Sequence, residues 1–140
     1  MSKLKIAIVG GGSSAWTPNL VKDMFLTPAL EDSEFALFDI NRKAAELIKA
    51  FLDKLAGQLG VKARITATDN RAKALAGADF VIITISTGGL DAMAQDLAIP
   101  EKYGIYHTVG DTSGPGGWDR LIHEQVLQAV VTQAELQHLG

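Results

Sequence analysis

The stretch that decides the fold is Leu4-Lys5-Ile6-Ala7-Ile8-Val9-Gly10-Gly11-Gly12-Ser13-Ser14-Ala15. Its first half is a short apolar run rich in β-branched residues, the length of a strand buried in a parallel sheet. Its second half is a glycine turn in which Gly10, Gly12 and Ala15 fit the G-x-G-x-x-G/A spacing of a dinucleotide-binding turn. The spacing has a physical basis. Gly10 permits a tight exit from the strand, Gly12 lets backbone approach a pyrophosphate, and small Ala15 lets the next helix pack closely on the sheet. Unpaired N–H groups at that helix start, with the helix dipole behind them, favour an anion. Taken alone, the same residues also suit a plain turn.

Working outward, residues 16–26 carry helical spacing, with Leu20, Val21, Met24 and Phe25 on one face, Pro18 in the first turn and Thr27-Pro28 as the stop. Trp16 either borders a ligand or packs against the turn, and packing is the expectation for a large aromatic. Glu34-Phe35-Ala36-Leu37-Phe38-Asp39-Ile40 reads as a second strand ending in an acid. A carboxylate there, about 20 residues beyond the turn, can accept hydrogen bonds from the adenosine ribose hydroxyls and would repel a 2′-phosphate, which favours NAD over NADP. Asp39 or Asn41 could equally serve as the N-cap of the helix that follows.

That helix spans Asn41 to about Leu59 and ends at Gly60; Ala44, Leu47, Ile48, Phe51, Leu52 and Leu55 form its expected apolar stripe, with Phe51 in the core. Residues 63–68 alternate as an edge strand, and Asp69-Asn70 cap a short helix that Gly77 closes. Residues 79–85 form the most apolar strand, expected in the sheet centre beside the first. It leads into Ser86-Thr87-Gly88-Gly89, a turn expected to face Gly10 to Gly12 across a ligand. A helix from Leu90 to about Gly104, broken at Pro100, then leads through residues 105–109 to Gly110-Asp111-Thr112-Ser113-Gly114-Pro115-Gly116-Gly117. Four glycines and a proline exclude a helix or strand interior there; the stretch suits a binding loop or a linker. The fold expected is α/β, a Rossmann-like, doubly wound, mostly parallel sheet of order 3-2-1-4, truncated, with a C-terminal helix.

Composition narrows the partners. At 140 residues one domain is the default, and 47% apolar with 21% charged residues is ordinary for a globular chain. A net charge of −3 offers no basic field for nucleic acid, and no apolar run approaches the ~20 residues of a membrane span. The N-terminus meets the first strand directly, so no signal peptide is expected. With no cysteine, disulfides and thiolate chemistry are excluded, and a cytoplasmic location is expected.

Residues 6–14, Phe38-Asp39-Ile40, Lys102-Tyr103-Gly104 and the loop at 110–117 together resemble the N-terminal part of glycoside hydrolase family 4, over roughly residues 4 to 120. Ile85-Ser86, Gly89-Leu90-Asp91 and Gly104-Ile105-Tyr106 with Val109-Gly110-Asp111-Thr112 look most like its α-galacturonidase and α-galactosidase-like branch. The resemblance implies NAD and a divalent metal, usually manganese. It also implies redox chemistry in place of two-carboxylate hydrolysis: oxidation of the sugar at C3, loss of the C2 proton, elimination, water addition and re-reduction. Carried over by position, Gly10, Gly11, Gly12, Ser13, Ser14, Asp39, Thr87, Gly88 and Gly89 would hold NAD, and Asp111 would contact a sugar substrate.

Family members exceed 400 residues and hold their metal through a cysteine and a histidine, with a tyrosine farther on as the base. This chain lacks cysteine, and residues 121–136, though helical in pattern, depart from the family sequence. The expectation is an NAD-binding domain over 1–120 and an atypical helix over 121–140, with no catalytic residue and no metal ligand in the chain. His123 and His138 lie too far apart on one helix to share a metal, and His107 suits packing or the surface better than substrate. A non-catalytic nucleotide-binding or oligomerisation module is the alternative. A hydroxyacid-type dehydrogenase would need a downstream His and Arg. A homo-oligomer is expected, with the tail helix covering the fourth strand or pairing two copies.

Overall fold

The computed structural model describes residues 4–85 and 89–106, which fall into two compact units separated after Ile85. Thr87, Gly88, His107, the loop at 110–117 with Asp111, the 121–136 tail, His123 and His138 lie outside the described residues.

In the first unit, β1 (Lys5–Val9), β2 (Glu34–Phe38), β3 (Arg64–Thr68) and β4 (Phe80–Ile83) form one sheet of order β3-β2-β1-β4, every pair parallel. Register places Ile8 beside Leu37 on one side and Ile82 on the other. Helices α1 (Thr17–Phe25), α2 (Arg42–Leu59) and α3 (Arg71–Leu75) supply the crossovers. Strand alternation separates two faces. Ile6, Ile8, Phe35, Leu37 and Ile65 share one core with Val21 and Phe25 of α1 and with Ala45, Ile48, Leu52 and Ala56 of α2. There the Phe25 and Phe35 rings meet edge to face, centroids 5.5 Å apart. Ala7, Val9 and Ala36 point to the other face. Right-handed crossovers put α3, whose path reverses direction toward β4, on that side with its buried Ala74 and Leu75.

The helix ends follow local chemistry. The Asn41 side chain accepts the Ala44 N–H at 3.2 Å, and Asn70 accepts that of Lys73 at 3.0 Å, so Asn41 and not Asp39 is the N-cap of α2. Gly60 closes α2 in the left-handed region, φ +71°. At the first turn of α2, a hydrogen bond from Arg42 to Glu46 raises the already high pKa of the guanidinium.

Several expectations are corrected. The α2 stripe runs through Ala45, Ile48, Leu52 and Ala56, while Phe51 is half exposed and Leu47 more so. β4 pairs only with β1 among the described residues and ends the sheet order; it is not central, and Phe80 is 56% exposed. Ala15 is exposed, because α1 begins two residues later, so it is not the small residue that brings helix to sheet. Trp16 is 64% exposed and does not pack as expected. In the second unit, α4 (Gly89–Glu101) runs through Pro100 instead of breaking there. The Pro100 carbonyl accepts the N–H groups of Tyr103 and Ile105, and Gly104 follows with φ +74°.

Candidate functional site

The glycine turn leaves β1 at the carboxyl edge of the sheet, beside the point where strand order reverses between β1 and β4. This is where open α/β sheets bind ligands. Its path is set by close contacts. The N–H groups of Gly10 and Gly11 both donate to the Phe38 carbonyl, at 2.9 and 2.8 Å, tying the turn to the end of β2. Gly10 has φ +89°, and a Cβ added to it would lie 2.5 Å from the Thr84 carbonyl oxygen. At Gly11 an added Cβ would lie 2.7 Å from Cβ of Leu37. The first two glycines are therefore demanded by the sheet itself, whatever occupies the crevice.

Gly12 meets the predicted acid. Its N–H donates to Oδ2 of Asp39 at 2.9 Å, while Oδ1 accepts the Asn41 N–H at 2.8 Å. A Cβ on Gly12 would lie 2.7 Å from Oδ2 and 2.9 Å from Cβ of Ala44. Asp39 is half-buried, and its own N–H donates to the Thr68 carbonyl at 3.2 Å. Each carboxylate oxygen retains a further lone pair for a ligand hydroxyl.

Beyond Gly12 the chain turns into α1. The Ser13 N–H donates to the Gly10 carbonyl, and its hydroxyl accepts the Trp16 N–H at 3.3 Å, which leaves the hydroxyl proton free to donate. The Ser14 and Ala15 N–H groups meet no acceptor among the described residues. They precede the N-terminus of a nine-residue helix, whose dipole favours an anion. The turn, the carboxylate at the end of β2 and these unpaired donors thus fit a dinucleotide. Of the other residues expected to hold one, Gly89 starts α4 in the second unit with φ +65°.

Two participants escaped the reading of the residues. The Thr84 hydroxyl donates toward the Gly10 and Val9 carbonyls at 3.2 and 3.4 Å, closing the other side of the turn. A threonine between two isoleucines carries no signal for this. The Thr17 hydroxyl, fully buried at the first position of α1, meets no hydrogen-bond partner among the described residues. Among the described residues, no group of three His, Asp or Glu side chains could hold a metal.

A profile described as "Family 4 glycosyl hydrolase" matches residues 5–130. The chain belongs to glycosyl hydrolase family 4. Among similar proteins, an alpha-galactosidase of Rhizobium meliloti is 44% identical over 117 residues, which make up 84% of this chain and 24% of that protein. An alpha-galacturonidase of Thermoanaerobacter italicus is 41% identical over 119 residues, 85% of this chain and 25% of that one. The chain thus spans about a quarter of the length of these relatives. Of solved structures, a 6-phospho-alpha-glucosidase from gut microorganisms in complex with NAD and Mn2+ superposes with TM-score 0.80 at 25% identity, covering 97% of this chain and 31% of that one. The 6-phospho-beta glucosidase of Thermotoga maritima with NAD and glucose-6-phosphate gives 0.77 at 27% identity, covering 95% and 31%.

Proposed function

We propose that residues 1–120 are the NAD-binding portion of a family 4 glycosidase that hydrolyses O-glycosidic bonds of an α-galactoside or α-galacturonide by oxidation, elimination, addition and reduction. The observation that carries the cofactor is the pairing of the glycine turn with Asp39 at neighbouring strand ends, 2.9 Å from Gly12 N to Oδ2. The substrate class follows the similarity to the alpha-galactosidase and alpha-galacturonidases, and Asp111 is the residue proposed to contact sugar hydroxyls.

Bound NAD supplies a hydride acceptor and donor for sugar C3, which acidifies the neighbouring C2–H. The chain's own residues supply grip and orientation. Asp39 accepts from the adenosine ribose, the unpaired amides of Ser14 and Ala15 with the Ser13 hydroxyl meet the pyrophosphate, and Gly10 and Gly11 hold the turn against Phe38 and Thr84. Manganese accompanies NAD in a structural relative, but the described residues offer no metal site, so no step is assigned to it.

Calorimetric titration of the 140-residue chain with NAD and NADP tests the reading. Saturable binding of NAD, at least about tenfold tighter than NADP through repulsion of the 2′-phosphate by Asp39, is expected. Equal or tighter binding of NADP, or no NAD binding, overturns it.

A further inference from the structure

We propose that Asp39 is a latch on the glycine turn: a positioning residue that holds Gly12 before any nucleotide arrives and shifts anion recognition from Gly12 to the amides of Ser14 and Ala15. In a dinucleotide-binding turn the acid after the second strand reads the ribose, and the second glycine lets its backbone approach the pyrophosphate. Here the Gly12 N–H is already engaged by Oδ2 at 2.9 Å, and Oδ1 is held by the Asn41 N–H at 2.8 Å. Both bonds are charge-assisted, the stronger class of hydrogen bond.

The latch joins three elements. Asp39 sits in the sheet through its N–H to Thr68, Asn41 caps α2 through Ala44, and Cβ of Ala44 closes the other side of Gly12. The turn from β1, the end of β2 and the start of α2 therefore share one carboxylate. Because Oδ2 and Ala44 would lie 2.7 and 2.9 Å from a Cβ at position 12, Gly12 is glycine to accept the latch. With Gly10, Gly11, Gly12 and Ser13 all donating within the protein, the next unpaired amides are those of Ser14 and Ala15.

The latch itself is read from the hydrogen bonds of Asp39 to Gly12 and Asn41; only the shift of the anion donors rests on the NAD reading above. The two roles of Asp39 make different demands. Ribose recognition works with either acid, since Asp and Glu both serve at this place. A latch needs the length of aspartate, because one more methylene displaces the carboxylate from Gly12. The test is amide hydrogen exchange by NMR on the ligand-free 140-residue chain and its Asp39→Ala and Asp39→Glu variants, with the Ile8 amide of β1 reporting that the sheet is intact. Exchange at Gly12 is expected to quicken by about tenfold or more in both variants while Ile8 stays protected. Asp39→Glu, which keeps the charge, carries the test should alanine unfold the chain. Unchanged exchange at Gly12 in a variant with Ile8 protected overturns the latch.

Titration with NAD adds the second arm. Asp39→Glu is expected to weaken NAD binding by about tenfold, and in the parent chain NAD should shift the Ser14 and Ala15 amides more than that of Gly12. Undiminished affinity in Asp39→Glu, or Gly12 as the amide that shifts most, overturns the proposal. If the parent chain binds no NAD, the functional reading falls, while the exchange result still decides the latch.

Discussion

β1 and β4 are neighbours of similar composition, with Ile6-Ala7-Ile8-Val9 paired residue for residue with Phe80-Val81-Ile82-Ile83 in parallel register. Yet Ile8 is fully buried and Val9 nearly so, while Phe80 is 56% exposed and the rest of β4 is half-buried. β1 lies between two strands and beneath helices on both faces; β4 has a described partner on one side only. Apolar content makes a strand able to be buried, but its place in the strand order decides whether it is.

Substitutions that probe this contrast should rank accordingly. The largest effect is expected for Ile8→Ala, which empties a fully buried site in the shared core and should cost about 3–4 kcal/mol in chemical denaturation. Phe80→Ala, larger in atoms removed, should cost under about 1 kcal/mol because more than half of the residue's surface already meets solvent. Equal losses would show that β4 is covered as thoroughly as β1.

The turn that leaves β1 sharpens the comparison on the backbone. Gly10→Ala forces a Cβ to 2.5 Å from the Thr84 carbonyl at φ +89°, and should destabilise by about 2–4 kcal/mol with loss of any nucleotide binding. Asn41→Ala removes the cap of α2 and should lower stability by about 1 kcal/mol, read as a downward shift of the thermal midpoint. The smallest effect has the opposite sign. Gly57, inside α2 with nothing within 4 Å of an added Cβ, should tolerate alanine and gain about 0.5–1 kcal/mol.

Much of the fold was legible because its signals are local. The apolar run into Gly10 and the acid at the end of the Glu34–Phe38 strand each state their role within a few residues, whereas the choice of Asn41 and Asn70 as the helix caps came from the structure. The register of α2 was legible only in part: Ile48 and Leu52 are buried and Leu55 packs against the core as the spacing predicts, but Leu47 and Phe51 are exposed. Leu47 and Phe51 extend the expected stripe on one side of Ile48 and Leu52, Ala45 and Ala56 flank them on the other, and periodicity alone cannot choose between the two edges. The sheet chose the one whose alanines let the helix lie close to β2 and β3. Trp16 was misread for a related reason: a burial tendency says nothing about a residue at the exposed start of a helix.

By itself the sequence determined the order of strands and helices, the glycine turn, and an acid spaced to answer it, since spacing and backbone chemistry act over short range. Only the tertiary structure decided how that acid is used. Parallel pairing of β1 with β2 brings Asp39 within hydrogen-bond distance of Gly12, across 27 residues of chain, and pairing of β1 with β4 brings Thr84, just past the end of β4, against Gly10. The strand order was legible, but such contacts depend on exact register and on the direction of single side chains, which no local pattern specifies.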